Sequence, residues 1–149
     1  NKEVLGPDYE ITVADLEAAQ KLAGLEINQG DVVLIGTGWS KNWENKDLYQ
    51  GQSLGTPGIG EAGAKWLAAK KPRACGGETI AFEHIPAGAG HRELPVHRVF
   101  LVESGIHIIE TMKLAELADT GVSEFLFVLT PLNLQGATGS PTRPLAVLV

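Results

Sequence analysis

The chain has 149 residues, 44% of them hydrophobic, which suffices for one compact α/β-sized domain with a single core and is too short for two. A formal charge of -6 and a pI near 5.2 provide no positive field to gather phosphate, so nucleic acid and anionic membrane surfaces are poor partners, and a small molecule or another protein fits better. No apolar run reaches the roughly 18 to 20 residues that cross a bilayer, the opening Asn1-Lys2-Glu3 has no signal-peptide pattern, and Cys75 is the only cysteine. The expectation is therefore a soluble, cytoplasmic chain without an internal disulfide.

In chain order, Thr12 and Asp15 read as a capping box, followed by Val13, Leu16, Ala19 and Ala23 at helical spacing until Gly24 stops the pattern. Val32 to Ile35 is a short β-branched run, expected as a buried central strand, that ends in Gly36-Thr37-Gly38-Trp39. Residues 40 to 58 lack periodicity and read as a long pocket-side loop. Ile59 to Lys71 is alanine-rich, with Ala62, Trp66 and Ala69 on one face, and predicts a second helix ending before Pro72; a strand over Gly77 to Phe82 should follow.

Pro95 at a first helical turn, then Val96, Val99, Phe100 and Val102, with Gly105 past the end, predict a short amphipathic helix. The remaining elements are a strand over Ile106 to Glu110, a helical turn over Leu114 to Leu117, a buried strand over Phe125 to Leu129 and a last strand over Leu145 to Val149. The alternation of strands and helices argues for a single α/β layered domain over residues 1 to 149.

Several segments in this order resemble the cyclase family of metal-dependent hydrolases, which includes kynurenine formamidases and isatin hydrolase. They are Gly30-Asp31-Val32-Val33-Leu34-Ile35 leading to Thr37-Gly38-Trp39, Pro57-Gly58-Ile59 leading to Trp66-Leu67-Ala68, Val96-His97-Arg98, Gly105-Ile106 with Ile108-Ile109-Glu110, and Gly136-Ala137-Thr138-Gly139-Ser140-Pro141 with Arg143 and Pro144. The resemblance implies a swivelling β/β/α fold, homo-oligomers, and hydrolysis of small amides, lactams or lactones at a zinc or manganese ion. It also implies an H-x-G-T-H-x-D stretch supplying the first metal ligands. None of the four histidines, His84, His91, His97 and His107, begins that spacing. The expectation is that Asn1 falls in mid-sequence of a longer parent, that the fold is incomplete in this chain, and that the chain alone turns over little or no substrate.

By the same resemblance, His97 and Glu110 complete the metal site. Imidazole and carboxylate are good ligands for a divalent cation, and a hydrolytic zinc commonly takes three protein ligands and a water. From the residues alone, His97 reads equally as a helix-start histidine bonded to nearby backbone, and Glu110 as a solvated strand-end carboxylate. Glu78, beside Thr79, and Glu83, beside His84, form a pair of carboxylates that could do acid and base work if their environments split their pKa values, and Glu78 could equally orient a loop. His91, in a glycine-rich loop, is either a pocket histidine or an exposed one, and His107 alternates out of an apolar strand. Trp39 and Trp43 offer a substrate wall or simple packing surface, and Ser140, Pro141 and Arg143 would shape the site's edge.

No dinucleotide or phosphate loop and no Gly-x-Ser-x-Gly elbow occurs. Two readings result: a metal-dependent hydrolase whose partners are a small substrate and either another copy or an N-terminal half, and a non-catalytic α/β module that binds a small molecule or pairs with itself.

Overall fold

The protein is described here by a computed structural model covering residues 3–148. The first helix, α1 (Val13–Ala23), begins with the capping box expected of Thr12 and Asp15 and ends at Gly24 in the left-handed conformation. It follows a two-residue strand, β1 (Glu10–Ile11), which pairs in parallel with β3 (Gly58–Ile59). Between them, β2 (Val32–Ile35) forms as expected. Residues 40 to 58 are less irregular than the sequence predicts: a 3₁₀ turn at Trp39–Asn42 leads into a short helix, α2 (Lys46–Gln50), which the side chain of Asn45 caps through Leu48 N–H.

Ile59 belongs to β3, so the second long helix, α3 (Glu61–Ala69), starts two residues later than expected. The strand expected over Gly77 to Phe82 lies instead at β4 (Ala74–Gly77). β4 pairs in parallel with β2 on one side and with β5 (His107–Ile109) on the other, in the order β2-β4-β5. β4 is thus the central strand, and β2, expected there, is an edge strand whose four residues are each half-buried. The short glycine-rich β4 suits this place because its neighbours pack on its backbone: a Cβ at Gly76 would lie 2.8 Å from Met112 Sδ and 3.1 Å from Ile109 Cβ.

The helix expected from Pro95 begins as α4 (Pro95–His97) and continues as a π-helix over Arg98–Ser104, closed by Gly105 in the left-handed conformation. Val96, Val99 and Phe100 are buried, but Val102, expected on the same face, is 79% exposed. Even at about 100° per residue Val102 lies roughly 110° from the centre of the face formed by Val96, Val99 and Phe100, and the wider turn of the π-helix carries it further from the core. The chain continues through α5 (Ala115–Asp119) to an antiparallel hairpin of β6 (Leu126–Val128) and β7 (Leu145–Val147). The end of the last expected strand, Val149, lies outside the described residues.

Strand alternation divides the core into two. On one face of the sheet Cys75, Val33, Ile35 and Ile108 meet α1, α3 and α4 through Leu16, Leu67, Val96, Val99 and Phe100. On the other, Ala74, Ile109, Val32 and Leu34 meet Met112, Leu114, Leu117 and Phe127. Helices therefore cover one face of a parallel sheet and the hairpin approaches the other, the α/β class the sequence predicts. The strand expected to be buried over Phe125 to Leu129 is only partly so: Leu126 is 60% exposed, and Phe127 and Leu129 are the residues of that region that reach the core, while Leu145 on the second strand is 50% exposed. No helix among the described residues is long and apolar enough to cross a membrane.

Candidate functional site

The loops that leave the carboxyl ends of β4 and β5 are tied together by two backbone bonds, Thr111 N–H to Thr79 C=O and Met112 N–H to Gly77 C=O, both 3.0 Å. The loop after β4 then folds back on β3. His84 N–H donates to Ile59 C=O at 3.0 Å, and Thr56 and Ile85 exchange two bonds of 3.0 Å. This approach needs glycine at position 58, where a Cβ would lie 2.3 Å from the Glu83 carbonyl carbon. Phe82 has φ of +62° and Thr111 of +53°, so each of the two carboxylates at this end, Glu83 and Glu110, has a neighbour in a conformation that costs a non-glycine residue about 1–3 kcal/mol. The packing of the buried Phe82 ring, 6.0 Å from that of Phe100, is one interaction that offsets this cost.

His97, at the end of α4, lies between those two carboxylates. Its Nδ1 is 2.6 Å from Glu83 Oε1 and its Nε2 is 3.2 Å from Glu110 Oε1. The Glu83 carboxylate also accepts the backbone N–H of Val96 and of His97, each at 3.0 Å. Burial grades across the cluster, with side-chain exposures of 1% for Glu83, 24% for His97 and 37% for Glu110. The cluster is thus closed on the Glu83 side and open on the Glu110 side. Hydrogen bonds from Glu110 and then Glu83 raise the imidazole pKa from 6.5 to about 9, with burial opposing them. Without a cation the ring is an imidazolium at neutral pH, donating to both carboxylates.

The two residues singled out together as metal ligands, His97 and Glu110, are therefore adjacent. Glu83, which joins them, was considered in the sequence only as a carboxylate paired with Glu78, not as a partner of His97. One local signal pointed to such a residue: Leu94, the N-cap, has no side chain able to cap a helix, so the free N–H groups of Val96 and His97 needed an acceptor from elsewhere.

Glu78 lies in a separate buried network. Its carboxylate accepts Thr37 N–H at 2.7 Å, Thr37 Oγ1–H at 3.0 Å and Ser40 Oγ–H at 2.5 Å, and its carbonyl accepts the Tyr49 hydroxyl at 2.6 Å. Burial, and then the charge of Glu78, push the Tyr49 pKa up to about 12, so this phenol stays a donor. Glu78 in this arrangement pins the Gly38-Trp39 turn to the end of β4. Trp39 is buried, with its indole N–H on the Tyr49 carbonyl at 3.1 Å. Trp43 is 60% exposed, its ring edge-on to Tyr49 at 5.0 Å.

His91 is exposed at the rim of a cavity of about 370 Å³ that Gln50, Thr56, Ile80 and Ile85 also line. Ser140 lies in the hairpin connection, where its Oγ accepts Leu132 N–H at 3.1 Å, and Arg143 is exposed there. His107 is exposed on β5. Of the residues singled out, then, the fold gathers His97 with Glu110, and Glu78 with Trp39 and Trp43 about Tyr49.

The molecule is thus an α/β protein in which a histidine at the end of α4 lies between an enclosed and an open carboxylate carried by the segments that follow two parallel strands, β4 and β5. Residues 1–84 match the Cyclase family model, described as "Putative cyclase", and the chain belongs to that family. It is 26% identical over 145 residues to an isatin hydrolase of Roseibium aggregatum, covering 95% of this chain and 54% of that protein. It is 29% identical over 103 residues to cyclase-like protein 2 of rice, Oryza sativa subsp. japonica, covering 68% of this chain and 35% of that one. Among solved structures, one described as a novel cyclase superposes with a TM-score of 0.85 at 31% identity, covering 97% of this chain and 49% of that one. Another, described as a "predicted metal-dependent hydrolase from Bacillus stearothermophilus", gives 0.63 at 27% identity, covering 96% and 63%. The chain spans about half the length, or less, of the curated relatives it matches.

Proposed function

We propose that this chain forms part of a divalent-metal-dependent hydrolase acting on a small amide, lactam or lactone, in the manner of an arylformamidase, with His97 and Glu110 as metal ligands. The observation that carries this reading is the 3.2 Å approach of His97 Nε2 to Glu110 Oε1 at the open side of the cluster, with Glu83 behind the ring on Nδ1. Imidazole and carboxylate suit zinc or manganese, and a carboxylate on the far nitrogen of a ligand histidine is the usual outer support of such sites. Support from relatives is of the same kind, since some similar structures are described as metal-dependent hydrolases.

The donor set fits a cation in part. Among the described residues no group of three His, Cys, Asp or Glu could hold one, so the reading assigns the remaining ligands to residues outside 3–148. A bound cation of this type supplies hydroxide near neutral pH and polarises a carbonyl oxygen. This chain's own contribution is to orient the imidazole, to present Glu110 beside it, and to keep Glu83 out of solvent. The exposed Trp43 ring is a flat surface for an aromatic substrate, and the exposed apolar hairpin favours assembly with a second copy or with further polypeptide.

The test is hydrolysis by the natural polypeptide that carries this chain, loaded with zinc or manganese and offered an aryl formamide, a cyclic lactam such as isatin, and a lactone. Turnover of at least one class is expected, lost on chelation and restored by the metal, while residues 1–149 alone turn over little or none. Failure to take up a divalent cation under any reconstitution would move the assignment to a non-catalytic binding module.

A further inference from the structure

Glu83 is the least exposed member of the cluster. An ionised carboxylate only accepts hydrogen bonds, and this one, 0% exposed, meets Val96 N–H at 3.0 Å, His97 N–H at 3.0 Å and His97 Nδ1 at 2.6 Å. The two backbone donors belong to the first turn of α4 and fix the carboxylate relative to the helix. The carboxylate then fixes the ring. A neutral imidazole carries one proton, which may sit on either nitrogen, and only a proton on Nδ1 satisfies the contact at 2.6 Å.

We propose that Glu83 is a positioning residue that holds the neutral His97 ring in its Nδ1–H tautomer, so that Nε2, facing Glu110, is the nitrogen with a lone pair to offer a cation. Either tautomer of the neutral ring sets one bare nitrogen against a carboxylate. With the proton on Nε2 this falls at Nδ1 and the enclosed Glu83 Oε1, 2.6 Å apart, and with the proton on Nδ1 it falls at Nε2 and the open Glu110 Oε1, 3.2 Å apart, so the first is the costlier arrangement. The role serves the metal-site reading given above, but its test does not depend on that reading.

The experiment is a long-range ¹⁵N–¹H correlation spectrum of the histidine rings in chelator-treated chain, at a pH high enough for the rings to be neutral, with His97 assigned from His97→Gln. A protonated Nδ1 and an unprotonated Nε2 are expected for His97. In Glu83→Gln the amide has one accepting and one donating end and cannot serve all three donors, so the tautomers mix or invert. Zinc affinity of the natural polypeptide, measured by competition with a chromogenic chelator, should fall about 10- to 100-fold.

An unsubstituted ring with its proton on Nε2 would overturn the proposal even if no variant folds. A folded Glu83→Gln protein with an unchanged tautomer would do the same. If the unsubstituted protein shows the Nδ1–H form yet takes up no zinc, the role of Glu83 stands and the metal reading is the one that fails.

Discussion

His97→Ala is expected to lower the divalent-cation affinity of the natural polypeptide by more than about 100-fold, beyond the 10- to 100-fold that the loss of an outer partner costs, and metal-dependent hydrolysis should fall with it. The substitution removes the imidazole that faces Glu110 Oε1 at 3.2 Å and leaves Glu110 alone of the two ligands proposed above. Titration against a chromogenic chelator measures the loss, and a variant that keeps its affinity would exclude His97 as a ligand. The same variant carries a pH signature in cation-free protein. The ring's pKa is raised on folding from 6.5 to about 9, so the protonated ring contributes stability that is fully present below about 6.5 and fades as pH rises through about 9. Melting temperatures near pH 6 and pH 10 should therefore differ by less in His97→Ala than in the unsubstituted chain, at equal buffer and salt.

Phe100→Ala should destabilise the fold by about 3–5 kcal/mol, the usual cost of emptying a buried aromatic site. Against a domain stability of about 5–15 kcal/mol this is a large share, and it is read as a drop in the urea midpoint. Phe100 is 0% exposed and lies three residues beyond His97 on the same continuous helix, with its ring against Phe82. Phe82 in turn precedes Glu83, so the cavity would open between the two segments that carry the cluster. A change below about 1 kcal/mol would show that the surrounding side chains collapse into the space, which the tight packing of interiors argues against.

What the sequence revealed was what short-range chemistry decides. The capping box at Thr12, the stop at Gly24 and the run Val32 to Ile35 each depend on neighbours a few residues away, and each formed. β4 was displaced by three residues because Ala74-Cys75-Gly76-Gly77 has weak strand propensity; pairing on both sides makes it a strand. Val102 was misplaced because its apolar character was taken as a core signal although its spacing from Val96, Val99 and Phe100 sets it off their face, a displacement that the π-helix enlarges. Both strands of the hairpin were located, but the first was taken as buried because Phe125 to Leu129 is an unbroken apolar run, and nothing local states what covers Leu126.

The same division holds for the site. His97 and Glu110 were paired through family resemblance, and the fold brings them to 3.2 Å, though their chemical role is still the proposal made above. Glu83 carries no spacing signal, lying fourteen residues before His97, and only the turn at Phe82 and the glycine at position 58 bring it there. Glu78 looked like the more chemical carboxylate in sequence, yet three donors from the Thr37 to Ser40 turn occupy it.

The central strand has a further meaning for how this family member tolerates change. A Cβ at Gly77 would stand 3.0 Å from the Phe82 ring, and one at Gly76 would stand 2.8 Å from Met112. Every substitution of glycine adds at least that one atom, so a replacement at either position, neither of which carries a side chain or a charge, requires Met112 or the Phe82 ring to shift. At Gly77 the atom that would have to move belongs to Phe82, the residue before Glu83, so a single added methyl on the central strand would press on the loop that carries the enclosed carboxylate.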